Sequence, residues 1–155
     1  MDKERRQKLF DDYPKLFAKR NKAPNDCGRY PIVWGLEHGD GWLTLVEELC
    51  KLIQHHIDQQ RQKNPDFAQV EVVQVKEKFG SLRFYTTECD EYITGLISMA
   101  ESISGKTCEA CGNPGTARKA GWLRVRCDPC EEIRNQKIQE TENAGVNIPN
   151  PGSQG

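Results

Sequence analysis

The sequence predicts an α+β fold: two amphipathic helices packed on a β-hairpin, followed by a C-terminal module built on four cysteines. Three observations carry this. Apolar residues at 42, 45, 46, 49, 50, 52, 53 and 57 form a helical stripe with a polar opposite face. Val70, Val72 and Val75, then Leu82, Phe84 and Thr86, read as two short β-runs around a Gly80-Ser81 turn. Two Cys-x-x-Cys pairs, Cys108/Cys111 and Cys127/Cys130, then follow with fifteen residues between them.

Residues 2–20 read as a helical segment with Leu9, Phe10, Tyr13, Leu16 and Phe17 on one side. Pro14 breaks it, because proline lacks the amide proton and clashes with the preceding turn. Residues 21–41 are rich in Pro, Gly and Asn and read as a long ordered loop anchored by Tyr30, Ile32, Val33 and Trp34. Asp40 is the expected N-cap of the first long helix, Trp42 its anchor, and Asn64-Pro65 its end. A second amphipathic helix is expected over 89–104, with Tyr92, Ile93, Leu96, Ile97, Ala100 and Ile103 at helical spacing. Residues 131–142 form a short polar helix. The expected division is an α+β domain over 1–105, a four-cysteine finger with terminal helix over 106–142, and a disordered tail over 143–155.

The four cysteines carry the strongest chemical signal. Each Cys-x-x-Cys turn brings two sulfurs to one point, and the spacing between pairs matches a tetrahedral four-thiolate zinc site. One zinc ion held by Cys108, Cys111, Cys127 and Cys130 is therefore expected, although a rubredoxin-like iron site uses similar spacing. Four thiolates close the shell and leave no position for activating water, so the expected role is structural. Pro129, Glu131 and Glu132 favour a helix start at the second pair. A treble-clef-like finger is thus expected, with a zinc ribbon as the alternative.

With 22 Lys and Arg against 23 Asp and Glu, the chain has a net charge of −1. Contact with nucleic acid therefore requires a local patch. Residues 112–126 supply one candidate binding face: Arg118, Lys119, Trp122, Arg124 and Arg126, with strand alternation placing Arg124 and Arg126 on one side. The stretch KEKFGSLRFY interleaves Lys76, Lys78 and Arg83 with Phe79, Phe84 and Tyr85, which suits either strand binding or packing. The loop GLEHGDGW gathers Glu37, His38 and Asp40, the set a small hydrolase or nuclease would use. His55, His56, Cys27, Cys50 and Cys89 have no ligand-spaced partners, and Cys50 reads as a small core residue.

The charged segment MDKERRQKLFDDYPKLF has no apolar leader, no run spans a membrane, and seven cysteines form an odd set. A reducing cytoplasmic setting is expected from these features.

The segment CEACGNPGTARKAGWLRVRCDPC resembles the finger of DksA/TraR-type regulators of bacterial RNA polymerase, differing by about two residues in spacing and lacking their coiled-coil arm. A longer resemblance joins GLEHGDGWLTLVEELC, VQVKEKFGSLRFY and CEACGNPG…GWLRVRCDPC, in that order, to small phage and prophage proteins. It implies a phage-type setting, the cytoplasm of a bacterial host, and supplies no activity. Together with the closed four-cysteine site, the leading expectation is a non-catalytic zinc-binding interaction protein that engages a host macromolecule, protein or nucleic acid. The finger resemblance implies a transcription modulator binding RNA polymerase or nucleic acid. A counter-defence inhibitor is a further alternative.

Overall fold

The computed structural model describes residues 1–21, 31–119 and 121–145. Tyr30, Cys27 and the tail from 146 onward lie outside the described residues. Helix α1 is Lys3–Asp12, with the Asp2 side chain accepting from the Arg5 amide as its N-cap. The chain then turns at Pro14, as expected, and a short 3₁₀ turn follows at Ala18–Asn21. Leu9, Phe10, Leu16 and Phe17 reach the core from this segment.

The loop expected over 21–41 contains more structure than its composition implies. Pro31–Trp34 and Asp40–Trp42 are 3₁₀ turns, and Leu36–Glu37 forms strand β1. Ile32 is buried, whereas Trp34 is exposed. Strand β2 is Val72–Lys78 and β3 is Ser81–Thr86. They pair antiparallel, while β1 adds parallel to β2 with Leu36 opposite Val75. The hairpin turn is Phe79-Gly80 and not the Gly-Ser pair expected, for a conformational reason. Phe79 and Gly80 both take positive φ, 53° and 73°. That is the geometry of a type I′ turn, which matches the twist of the two strands.

Helix α2, Leu43–Lys63, buries Leu43, Val46, Leu49, Cys50, Ile53 and Ile57 and ends at Asn64. Asp40 does not cap it: Trp42 occupies the N-cap position without a side-chain cap bond. The Asp40 carboxylate is committed elsewhere, to Arg6 at 2.8 Å and to the Asp2 amide at 2.8 Å. Arg6 is only 6% exposed and also donates to the carbonyls of Leu36 and His38. A buried guanidinium left unpaired costs more than a missing cap, so the carboxylate goes to the arginine.

Helix α3, Glu91–Ser104, starts at Asp90, whose side chain accepts from the Ile93 amide. It packs against α2 and β3. Ile93 and Ala100 are buried, but Tyr92 and Ile103 are exposed, so the buried stripe is narrower than expected. Tyr92 stacks instead on His56, which pairs with Asp90 at 2.7 Å. α3 also covers the free edge of β3. The Leu82 amide donates to Ser104 Oγ at 2.8 Å and the Phe84 amide to Glu101 Oε1 at 3.1 Å. An open edge would otherwise be a template for pairing with another chain.

The C-terminal part holds strands β4, Thr116–Arg118, and β5, Arg124–Arg126, paired antiparallel, and helix α4, Asp128–Asn143. α4 buries none of its residues. Among the described residues no helix is long and apolar enough to cross a membrane.

This C-terminal part is seated on the Gly39–Trp42 segment. The Gly41 amide donates to the Glu109 carbonyl at 2.8 Å, and the Trp42 indole N–H donates to the Thr107 carbonyl at 2.8 Å. The backbones approach so closely that a Cβ on Gly41 would lie 2.2 Å from the Cys108 carbonyl oxygen, and one on Gly39 2.3 Å from that of Glu109. Gly41→Ala should therefore destabilise the protein by roughly 1–3 kcal/mol, the usual range for forced overpacking. Gly95, mid-helix in α3 with open space around it, gives the contrast. Gly95→Ala should stabilise by about 0.5–1 kcal/mol through helix propensity. Denaturant unfolding of both variants checks this, and equal effects would show that the close approach at Gly41 carries no strain.

Candidate metal centre

Cys108 and Cys111 lie on a tight turn closed by the Gly112 amide donating to the Cys108 carbonyl at 2.8 Å. Gly112 takes φ +82°, which lets the chain reverse without a Cβ clash. The turn is fastened to β5 by the Glu109 amide, which donates to the Val125 carbonyl at 3.0 Å. Cys127 is the N-cap of α4 and Cys130 sits in its first turn, so helical geometry turns both sulfurs the same way.

The four sulfurs lie within 4.8 Å of one another. Cys111 Sγ and Cys127 Sγ are 3.6 Å apart. That is far beyond the roughly 2.05 Å of a disulfide. It is close to the separation of about 3.8 Å that a tetrahedral ion with sulfurs near 2.3 Å imposes. The four cysteines can hold a metal ion, and they form the only such His, Cys or carboxylate group among the described residues.

The electrostatics fit that use. Burial alone would raise the Cys108 thiol, but the backbone amides of Cys127, Cys111 and Ala110 outweigh it and bring Cys108 down to about 7. Cys130 is pushed up to about 12, first by its hydrogen bond with Cys127. The fold thus prepares one thiolate, and the shared hydrogen bonds of the cluster hold the Cys111 and Cys130 thiols up until a cation takes the charge.

The expected binding face is redistributed. Arg124 is 6% exposed, ion-paired with Glu131 on α4 at 3.2 Å, and donates to the Trp122 carbonyl at 2.8 Å. It fastens β5 to α4 and is a correction to the free basic face. Arg118 pairs with Asp128 and donates to the Arg126 carbonyl at 3.1 Å. Lys119 is exposed, as is Trp122 at 47%, whose indole N–H donates to Glu77 at 3.0 Å. Arg126 is half-buried and faces α4, where it meets Arg134 and Lys137 across a groove. Neither of those α4 residues stands out in the sequence, because a lone cation on a polar helix reads as solvated.

Glu37, His38 and Asp40 do not converge. Glu37 lies on the exposed side of β1 and accepts from Gln74 at 3.1 Å, while Asp40 holds Arg6. His38 is buried, with Nδ1 donating to the Gly39 carbonyl at 2.7 Å and Nε2 buried without a partner. Cys50 is fully buried, as expected, and burial pushes its thiol up.

Comparisons with family models, curated proteins and solved structures return no match for the chain.

Burial, then the positive charge of Arg6, lowers His38 to about 4. Folded His38 therefore stays neutral where a free imidazole, near 6.5, takes up a proton. This stabilisation is complete above pH 6.5 and is lost as pH falls from there towards 4, because the unfolded chain protonates first. The full loss is of order 3 kcal/mol. His38→Gln should show a flatter unfolding midpoint between pH 6.5 and 5 than the unsubstituted protein. Superimposable pH profiles would show that His38 is not the responsible group.

Proposed function

We propose that the chain is a non-catalytic interaction protein of phage or prophage type whose C-terminal segment folds around one structural zinc ion. The single observation behind this reading is the set of four sulfurs within 4.8 Å, with one thiolate already stabilised by three backbone amides. Zinc suits an all-thiolate donor set, and four thiolates fill its shell. A filled shell has no place for activating water, so the ion acts by holding the finger together. A treble clef is favoured over a ribbon because the second cysteine pair rides on the start of α4. An enzyme centre at Glu37, His38 and Asp40 is disfavoured by the three separate destinations of those side chains. A host macromolecule as partner is suggested by the three-motif phage resemblance and by a finger whose terminal helix buries none of its residues.

Metal analysis of the purified native chain should give one zinc per molecule, and cobalt(II) substitution should give the absorption of a tetrahedral tetrathiolate. Cys108→Ser should abolish stoichiometric loading and lower the unfolding temperature, whereas Cys89→Ser, at a cysteine outside the cluster, should leave both unchanged. A native protein that folds without metal would refute the zinc reading.

A further inference from the structure

A cationic groove lies between β5 and α4, next to the cysteine cluster. It encloses about 300 Å³ beside Cys130 and is lined by Arg126, Arg134 and Lys137, with Ile133, Ile138 and Thr141 completing the walls. No acidic side chain lines it. Of the seven Lys and Arg in residues 106–142, Arg118 is paired with Asp128 and Arg124 with Glu131. Arg134 reaches Glu131 only at 4.0 Å, after Arg124 has engaged the same carboxylate at 3.2 Å. Arg126 and Lys137 make no ion pair among the described residues, and the Arg126 Nε–H is buried without an acceptor. Three cations converge on one groove, one of them with a desolvated donor, and Cys130 is the only anionisable side chain in the lining, so a further anion relieves their mutual repulsion.

We propose that this groove binds the sugar–phosphate backbone of a single-stranded nucleic acid. The proposal rests on the finger being metal-loaded and names the partner class left open above. Guanidinium forks match phosphate oxygens in pairs, and an ammonium adds a point charge. Ile133 and Ile138 offer apolar contact for sugar or base. The charge pattern around α4 selects one strand over a duplex. At about 100° per residue, Cys130, Arg134, Lys137 and Thr141 share one stripe, while exposed Glu132, Glu140 and Glu142 occupy the other sides. A helix inside a duplex groove meets phosphates on both flanks, and these carboxylates would oppose that. An acidic peptide is less well matched because the lining has three cations and only two apolar side chains.

The test is fluorescence anisotropy of the zinc-loaded full chain with labelled single strands of RNA and of DNA, about 20 nucleotides long, in parallel with the corresponding duplexes. Binding to single strands should weaken about 20-fold between 50 and 200 mM salt, the dependence expected for about three neutralised phosphates. Lys137→Gln should flatten the slope of log affinity against log salt by about 0.7. Arg134→Glu with Lys137→Glu should weaken binding at least tenfold, with zinc content and unfolding temperature unchanged. RNA and DNA arms of unequal strength would both uphold the groove and identify the preferred sugar. Zinc-loaded protein that binds no strand at 50 mM salt would overturn the proposal while leaving the zinc reading intact. It is equally overturned if duplexes bind better, if polyglutamate of equal charge displaces the strand, or if the charge-reversed variant binds as before. Loss of zinc from that variant would assign these cations to balancing the thiolates and overturn it too.

Discussion

The seating of the Cys108–Gly112 turn on the Gly39–Trp42 segment is the contact on which the remaining architecture depends. The Gly41 amide and the Trp42 indole N–H each donate to a backbone carbonyl of the C-terminal part, while the Gly39 amide donates to the Glu109 side chain. Two glycines are required because the backbones touch where any Cβ would stand. The same segment faces the other way as well. Asp40, between those glycines, binds buried Arg6 and so fastens α1 to the seat. Trp42 is fully buried and leads directly into α2. Truncating a buried tryptophan typically costs roughly 3–5 kcal/mol. A four-residue stretch thus joins the N-terminal helix, the main core helix and the cysteine cluster.

That arrangement gives the metal centre a reach beyond its own loop. A finger of this size has too little apolar surface to fold alone. Here its first cysteine is buried, with its carbonyl against Gly41 of the seat, and Val125 of β5 is buried too. The β2–β3 turn adds a further contact, since Gly80 lies against Leu123 and Trp122 reaches Glu77. A cation that ordered the sulfurs would therefore be felt in the three-stranded sheet through these contacts and in α2 through Trp42. The cations sort by function on the same principle. Arg6, Arg118 and Arg124 are committed to carboxylates and carbonyls, whereas Arg126, Arg134 and Lys137 line a shared groove between β5 and α4.

Much of this was legible in the residues because local rules decided it. The α2 stripe, the Asn64 stop, the break at Pro14 and the cysteine spacing each depend on near neighbours in the chain. What could not be read depends on partners far away in sequence. Asp40 looks like a cap until Arg6, thirty-four residues earlier, takes its carboxylate. The glycines of GLEHGDGW look like loop filler around an acid/base set until the Cys108–Gly112 turn, some seventy residues later, explains them. Strand β1 has only two residues and gains its identity from β2 alone. Arg124 alternates correctly for an exposed face, yet Glu131 on the next helix draws it inward. The α4 groove required the placement of β5 against α4, which no periodicity encodes.

Hydrogen–deuterium exchange of the native chain before and after chelation tests the coupling between cluster and body most directly. Metal removal should deprotect residues 107–130 and, with them, the Gly41 amide and the start of α2, through the bonds at Glu109 and Thr107. Deprotection confined to 107–130, with residues 36–43 exchanging as slowly as before, would contradict it.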